Sequence, residues 1–313
     1  MKEVFVRRDE KQSEILERLK LACVWAEISQ GRAMKYQSLF EDIIKGKTNS
    51  LEHILVYSEL EDLIEIHKFW VKTHHWFPGI KEKVREIFTN GPVLREYELT
   101  ESSGNRPRND SFVIYLAGSL MESEIDVVGV EGIRKADEHS FVGIEYDRFY
   151  SSDIFVHHLG LPIRIECKRP QSIDAIRRRT KSAKRQIKGD NGIIAIDCSA
   201  ALRPPAKFLD APSDKKAGEF LHSLISDNVE TLVRGQFSSN ILGAIFHIRA
   251  PVHTIQKVSQ ILDLRGNPII IYGPNSLSTL YFLGNSASPN VGVFRSLKDV
   301  YIDNLKKNHT GSD

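Results

Sequence analysis

The chain has 313 residues, of which 41% are hydrophobic and 27% are charged, and its formal net charge is only +2. This is an ordinary globular composition with ample apolar material for a core and enough length for two domains. The near-neutral balance excludes a polycation, so any attraction for nucleic acid must come from local clusters of basic residues.

The cysteines and the apolar segments bear on where the protein is found. Cys23, Cys167 and Cys198 are odd in number and lack CxxC spacing, so we expect reduced, buried thiols rather than a disulfide framework or a zinc ribbon. The start of the chain contains no apolar signal segment, and no later run approaches about 18 apolar residues. The sequence therefore favours a cytoplasmic protein without a membrane partner.

Two regions are predicted, residues 1–100 and residues 101–313. In the first region apolar residues such as Ile15, Leu19 and Ala22 recur at helical spacing. This pattern predicts a helical N-terminal region that serves recognition, oligomerisation or regulation. The segment TESSGNRPRND, residues 100–110, is predicted to be a loop or linker.

The second region alternates helices and strands. Its predicted elements are a helix from 109 or 110 to about 122, strands at 124–130, 141–146, 152–156 and 162–168, a helix from 172 to about 188, and a strand at 192–199. A helix at 219–233 and strand candidates at 241–248, 268–273 and 279–284 follow. These last strands can extend the same sheet, and the whole order predicts an α/β fold.

The strands at 152–156 and 162–168 form a predicted hairpin that gathers charged side chains. In PIRIECKRP, residues 162–170, Arg164, Glu166 and Lys168 share one face because side chains alternate with a period of two. A two-residue turn at 159–160 would place Asp153 opposite Glu166, whereas a four-residue loop would place it opposite Arg164. Both loops leave Asp153 on the face of Glu166 and Lys168.

Two converging carboxylates form a hard oxygen-ligand site, which suits Mg²⁺ and also Mn²⁺. We therefore predict that Asp153 and Glu166 bind a divalent cation. Lys168 can orient a metal-bound water that attacks phosphorus and can stabilise the developing charge. The alternative interpretation is an exposed cross-strand ion pair, which contributes little to stability.

A basic helix follows this strand. Residues 168–188 contain nine Lys or Arg and one acidic residue, Asp174. The apolar stripe predicted to pack on the sheet consists of Ile173, Ile176, Thr180, Ala183 and Ile187. The residues predicted to contact phosphate groups are Arg169, Arg177, Arg178, Lys181, Lys184 and Arg185. A cationic helix beside a carboxylate site suits a phosphodiester substrate, with DNA as the expected partner.

Residues 105–200 resemble the PD-(D/E)xK nuclease superfamily, whose core is a restriction-endonuclease-like αβββαβ unit. The resemblance rests on Asp153, on Glu166-Cys167-Lys168 at the end of the next strand, and on a basic helix with Gln186 near its end. It implies that Asp153 and Glu166 bind the metal and that Lys168 serves the attacking water. It also implies that Gln186 lines the site. The segment RNDSFVIYLAGSL, residues 108–120, looks like the helix that opens this core in several of these families.

Two positions depart from the superfamily pattern. Ser152 stands where the proline of the PD element would be, and Val113 stands where a glutamate of the opening helix would be expected. The third carboxylate therefore stays open among Glu98, Glu101, Glu122 and Asp126, and Asp126 also competes for the role of Asp153.

The sequence thus predicts a Mg²⁺-dependent endonuclease with a helical N-terminal region and a C-terminal α/β extension. A homodimer is a reasonable expectation, because cutting both strands of a duplex usually needs two such sites. The alternative is a catalytically silent nuclease-like fold used for nucleic-acid binding or assembly, which Val113 motivates. A third interpretation is a regulated effector nuclease of bacterial defence with the first ninety residues as sensor. The choice of DNA or RNA, the sequence specificity and the endo- or exonuclease mode stay open.

Overall fold

The computed structural model describes residues 12–45, 51–91, 105–136, 151–202, 209–262 and 268–310. Within these residues there are nine α-helices and a short 3-10 helix, His74–Trp76. The helices are α1 (Gln12–Trp25), α2 (Arg32–Ile44), α3 (Leu51–Trp70), α4 (Ile80–Thr89), α5 (Asn105–Glu122), α6 (Ile173–Ile187), α7 (Asp214–Asn228), α8 (Glu230–Arg234) and α9 (Val291–Thr310). The first four fall in the region that the sequence predicts to be helical.

The same residues contain eight strands, which form one mixed sheet. They are β1 (Asp126–Val130), β2 (Ile133–Arg134), β3 (Ile154–His158), β4 (Leu161–Lys168), β5 (Gly192–Asp197), β6 (Leu209–Ala211), β7 (Ile241–Leu262) and β8 (Pro268–Gly284). Their order is β2-β1-β3-β4-β5-β7-β6, and β8 also pairs with β7. Strands β4, β5, β7 and β6 are mutually parallel, and the remaining pairs are antiparallel. The α/β class is confirmed, and the C-terminal strands do extend the same sheet.

The hairpin of β3 and β4 closes through a two-residue turn. His158 pairs with Leu161, and Leu159 and Gly160 between them have φ angles of 50° and 74°. Positive φ at both central residues is typical of a type I′ turn, whose twist matches that of the flanking strands. Asp153, the residue before β3, is therefore opposite Glu166. The two-residue alternative is confirmed and the four-residue loop is wrong.

Apolar side chains pack on both faces of the sheet. On one face Ile163, Ile165 and Cys167 of β4 join a core with helices α1 to α5 and α9. On the other face Ile194 and Ile196 of β5 join a core with α6, α7 and α8. The sheet is therefore the middle layer between two sets of helices.

The charged side chains of β4 lie on the face that α6 covers. Because β4 and β5 are parallel and in register, Glu166 lies beside Ile194 and Lys168 beside Ile196. The alternation predicted from PIRIECKRP is confirmed, with its apolar residues on one face and its charged residues on the other.

Helix α6 begins where the sequence predicts. The side chain of Ser172 accepts a hydrogen bond from the backbone N–H of Ala175 at 3.3 Å, which caps the helix. The buried residues of α6 are Ala175, Ile176, Thr180, Ala183 and Ile187. Ile173 was expected in this stripe but is 40% exposed. Helical side chains lean toward the N-terminus, so the first residue projects beyond the packed turn.

Helix α5 begins earlier than the sequence indicates. It starts at Asn105, so the second half of the predicted loop at 100–110 is helical. Pro107 is tolerated there because the N–H groups of the first helical turn have no partner within the helix. The helix predicted at 219–233 is two helices, α7 and α8, separated at Val229.

Helix α9 was not predicted, although Phe294, Leu297 and Tyr301 lie at helical spacing and are buried. The strand predicted at 141–146 lies outside the described residues. The three cysteines are free and buried, which confirms the expectation of buried thiols.

Candidate active site

The carboxylates of Asp153 and Glu166 lie on either side of the ammonium group of Lys168. Lys168 Nζ is 3.4 Å from Asp153 Oδ2 and 3.5 Å from Glu166 Oε2, and it donates a hydrogen bond to the backbone oxygen of Cys167 at 2.8 Å. The hairpin produces this arrangement, because Asp153 is opposite Glu166 and Lys168 follows two residues later on the same face. The structure therefore brings together the three residues of the predicted site.

Asp153 is fixed where β3 begins. Its Oδ2 accepts a hydrogen bond from the backbone N–H of Cys167 at 2.7 Å, and its backbone oxygen accepts one from the N–H of Glu131 at 2.9 Å. Its side chain is still 23% exposed. The carboxylate can therefore be reached from solvent while its position is set from two sides.

Glu166 is almost completely buried, with a side chain that is 1% exposed. Burial, and then the charge of Asp153, raise the pKa of its carboxyl group to about 7, against the opposing effects of Lys168 and Arg164. Asp153 and Glu166 thus share the ammonium group of Lys168 in a poorly solvated region. Strongly shifted carboxyl groups of this kind are more frequent at functional sites than elsewhere in proteins.

Arg164 supports Glu166 from the side opposite Lys168. Its Nη2 atom lies 3.4 Å from Glu166 Oε1 and 3.2 Å from Ser151 Oγ, and its Nη1 atom lies 3.3 Å from Asp190 Oδ2. The guanidinium group is buried and links the hairpin to the segment before β5. Removing it would deprive Glu166 and Asp190 of the cation that they share.

The oxygen atoms around Lys168 Nζ are the donors at this site that could hold a divalent cation. Two carboxylates and the Cys167 carbonyl converge on that nitrogen, and hard oxygen donors with room for water suit Mg²⁺ and Mn²⁺. Among the described residues, no group of three or more His, Cys, Asp and Glu side chains is arranged to hold a metal ion. The donor chemistry fits a divalent cation, provided that the ammonium group of Lys168 moves aside.

A second cluster of acidic side chains lies near Asp153, and the sequence did not indicate this cluster. Glu131, in the turn between β1 and β2, and Asp110, on α5, both pair with Lys83 of α4, at 3.4 and 2.8 Å. Burial, and then the charge of Asp110, raise the pKa of Glu131, and Asp153 acts in the same direction. Three separate elements build this group. The sequence signal near it is the pair Glu131-Gly132, whose positive φ angles of 50° and 80° form a tight turn.

Two of the candidates for a third carboxylate, Asp126 and Glu122, pair with other lysines. Asp126 pairs with Lys135 at 2.8 Å, and Glu122 pairs with a lysine of α3 at 2.9 Å. Glu98 and Glu101 lie outside the described residues. The acidic side chains that the structure does place near Asp153 are those of Glu131 and Glu166.

Helix α6 presents a row of cations to solvent. Its exposed basic residues are Arg177, Arg178, Arg179, Lys181 and Arg185, and Lys184 is half-buried. Gln186 is exposed as well, at the end of the helix that lies about 20 Å from Ser172 by the rise per residue. Gln186 therefore lies at the opposite end of α6 from the segment that joins this helix to β4.

Arg169 is buried rather than exposed on the basic surface. Its Nε atom donates a hydrogen bond to Asp197 Oδ2 at 3.1 Å. The sequence places it next to Lys168, but side chains alternate between the two faces of a sheet. Its charge therefore contacts the protein interior on the face opposite Lys168.

Comparisons with known proteins add no relative. No protein-family model matches the chain, and neither a curated protein nor a solved structure matches it. In the part of the chain that the structure describes, no helix is long and apolar enough to cross a membrane.

Proposed function

We propose that the protein is a divalent-metal-dependent nuclease that hydrolyses phosphodiester bonds, with DNA as its expected substrate. The observation that carries this proposal is the contact of Lys168 Nζ with both Asp153 and Glu166, within 3.5 Å, on one hairpin. These are the residues to which the resemblance to PD-(D/E)xK nucleases assigns the metal and the attacking water. A sequence pattern and a side-chain arrangement thus support the same chemistry.

The order of the elements supports a restriction-endonuclease-like core. Once the two-residue strand β2 is set aside, helix α5, strands β1, β3 and β4, helix α6 and strand β5 follow the order αβββαβ, with β5 parallel to β4 and the earlier strands antiparallel. In this core Asp153 precedes the second strand and Lys168 ends the third. Residues 101–313 would carry the nuclease. Residues 1–100 would serve recognition, oligomerisation or regulation, and their helices α1 to α4 pack into the same apolar core.

The residues of the site have distinct proposed roles. Asp153, Glu166 and the Cys167 carbonyl would hold the cation, which when bound supplies a Lewis acid and lowers the pKa of a water molecule. Lys168 would donate hydrogen bonds to the attacking water and to a phosphoryl oxygen on which negative charge develops. Arg164 keeps the carboxylate of Glu166 in its orientation through the contact at 3.4 Å.

The exposed face of α6 supplies the expected phosphate-binding surface. The helix covers the face of the sheet that carries Glu166 and Lys168, and Arg177, Arg178 and Lys181 are exposed on it. Contacts of this type position the nucleic-acid backbone and make its affinity depend on salt. A four-residue segment joins Lys168 to the helix, so the binding surface and the site are close in the chain.

The test is cleavage of circular plasmid DNA at low salt with Mg²⁺, Mn²⁺ or EDTA. The wild type is expected to nick or linearise the plasmid only when Mg²⁺ or Mn²⁺ is present. Because a circular plasmid has no ends, its cleavage requires endonuclease activity. Lys168→Ala should abolish cleavage. Lys135→Ala is the matched control, because it removes a lysine that pairs with an aspartate elsewhere in the same sheet. Cleavage by Lys168→Ala at the wild-type rate would refute the proposal.

We also propose that the protein is a homodimer, and the products of the same plasmid cleavage assay test this proposal. Two sites held together are expected to give linear plasmid without a long-lived nicked intermediate. A single site is expected to accumulate nicked circles first.

A silent nuclease-like fold that binds nucleic acid or serves assembly is the second candidate. Two observations favour it: Val113 is fully buried where a glutamate was expected, and Lys168 Nζ already contacts both carboxylates. Under this interpretation no metal supports cleavage of DNA or RNA. Binding would then be unaffected by Lys168→Ala but weakened by loss of charges on α6.

A further inference from the structure

A second polar cluster lies on β5, β7 and β8. His247 Nδ1 is 3.3 Å from Asp197 Oδ1, and His247 Nε2 is 2.9 Å from Ser278 Oγ. Asp197 pairs with His247 in the register of β5 and β7. On β8 the partner of His247 is Leu280, and Ser278, two residues away, lies diagonally across from His247. Asp197 and His247 are buried and Ser278 is partly exposed. Ser278 is therefore the most exposed of these three residues.

The hydrogen bonds determine which nitrogen of His247 carries the hydrogen. Asp197 accepts from Arg169 Nε at 3.1 Å on one oxygen, and from the hydroxyl and the N–H of Ser199 on the other. A carboxylate only accepts, so His247 Nδ1 is the donor in its contact with Asp197. His247 Nε2 is then an acceptor, and the hydroxyl of Ser278 donates to it.

Aromatic side chains of α5 hold the imidazole ring in place. Phe112 stacks on it with a centroid separation of 5.5 Å and an interplanar angle of 18°, and the ring of Tyr115 lies 5.2 Å away. The hydroxyl of Tyr115 is 3.5 Å from Ser278 Oγ. Burial raises the pKa of Tyr115 to about 12, so the phenol keeps its hydrogen and can donate it to an oxygen beside Ser278.

This cluster is separate from the candidate nuclease site. Asp197 alternates with Ile193 and Ala195, which belong to the core on the face opposite α6. Glu166 and Lys168 lie on the α6 face. A ligand at one cluster would therefore not occupy the other.

We propose that Ser278 is a nucleophile and that this cluster hydrolyses a carboxylic ester, an activity beyond the proposed nuclease. Ser278 Oγ forms a bond to the ester carbonyl carbon while its proton passes to His247 Nε2. The C–O bond to the alcohol then breaks, and the departing oxygen takes that proton. Water attacks the acyl-serine through the same histidine, which releases a carboxylic acid and restores the hydroxyl. Tyr115 donates a hydrogen bond to the carbonyl oxygen as negative charge develops on it.

The first test is labelling of the full chain with a fluorophosphonate probe, which forms a phosphonyl-serine and releases fluoride. Peptide mass spectrometry should find the adduct on Ser278, and Ser278→Ala should prevent it. His247→Gln should slow labelling roughly 100-fold, because general-base catalysis contributes at least about that factor. Ser276→Ala, two residues away on the same strand, is the matched control and should be labelled like the wild type.

Hydrolysis of p-nitrophenyl acetate gives an independent readout, expected for the wild type and absent in Ser278→Ala. An unlabelled wild type, under conditions that fully label a serine esterase, overturns the proposal, as does an adduct on another residue. If Ser278→Ala lowers thermal stability while the wild type stays unlabelled, the hydrogen-bonded chain is structural and the proposal is likewise overturned.

Discussion

Two aspartate–lysine pairs in this sheet differ in a way that distance alone does not show. Asp126 and Lys135 approach to 2.8 Å, with side chains 41% and 24% exposed, whereas Asp153 and Lys168 approach only to 3.4 Å but are 23% and 13% exposed. Lys168 also contacts Glu166, a second carboxylate that is buried. The longer contact therefore belongs to the group that has the features of a site.

The environment explains why the two pairs differ. Charges in water attract weakly and are screened by salt, whereas partly buried charges interact more strongly because the local dielectric is lower. Around Lys168 and Arg164 the acidic side chains outnumber the basic ones, once Asp190 is counted with Asp153 and Glu166. An additional cation is therefore electrostatically favoured there, whereas the contact between Asp126 and Lys135 joins one carboxylate to one ammonium group.

The largest expected difference between the pairs is in catalysis. Asp153→Asn should reduce the rate of metal-dependent plasmid cleavage by about 10²–10³-fold, the usual effect of removing one preorganised electrostatic group. Asp126→Asn should leave the rate close to that of the wild type. Rates measured with enzyme in excess over plasmid give the comparison. Equal losses of cleavage rate in both variants would mean that Asp153 affects cleavage through the stability of the protein rather than through the chemical step.

The next difference is in stability. Arg164→Met should lower the free energy of unfolding by about 3 kcal/mol, because buried Glu166 and Asp190 lose their shared cation. Lys135→Met should change it by less than about 1 kcal/mol, as is typical of an exposed pair. Urea unfolding followed by circular dichroism measures both values. A cost for Lys135→Met as large as for Arg164→Met would contradict the contrast in burial.

The smallest expected effect concerns the salt dependence of DNA binding. Replacing Arg177, Arg178 and Lys181 with alanine should reduce the slope of log K against log salt by about 2.7, if each side chain neutralises one phosphate. The matched control replaces exposed Lys72, Lys215 and Lys216, which changes net charge equally. Fluorescence anisotropy across a salt series measures both slopes. Equal slopes in the two triple variants would show that α6 is not the binding surface.

The hairpin could be predicted because its signals are local. Alternation fixes the charged face of β4, and both even-length loops keep Asp153 on that face. The choice between the two loops could not be made, because Leu159 has a φ of 50° and leucine is uncommon there. Asn-Gly would have indicated this turn, but Leu-Gly does not.

The parts that escaped prediction depend on contacts between distant elements. Lys83, Asp110 and Glu131 come from two helices and a turn, and no local pattern links them. The polar cluster of Asp197, His247 and Ser278 depends on strand order, since β7 is beside β5 although α7 and α8 separate them in the chain. These are packing outcomes rather than local preferences.

The end of β4 supports both polar clusters at once. Lys168 contacts Asp153, and the next residue, Arg169, contacts Asp197 on the opposite face of the sheet. One peptide unit therefore lies between two anchored side chains that point in opposite directions. A rotation of that peptide unit about the strand axis must move the side chains of Lys168 and Arg169 together. The positions of the two clusters are therefore coupled at this point of the chain.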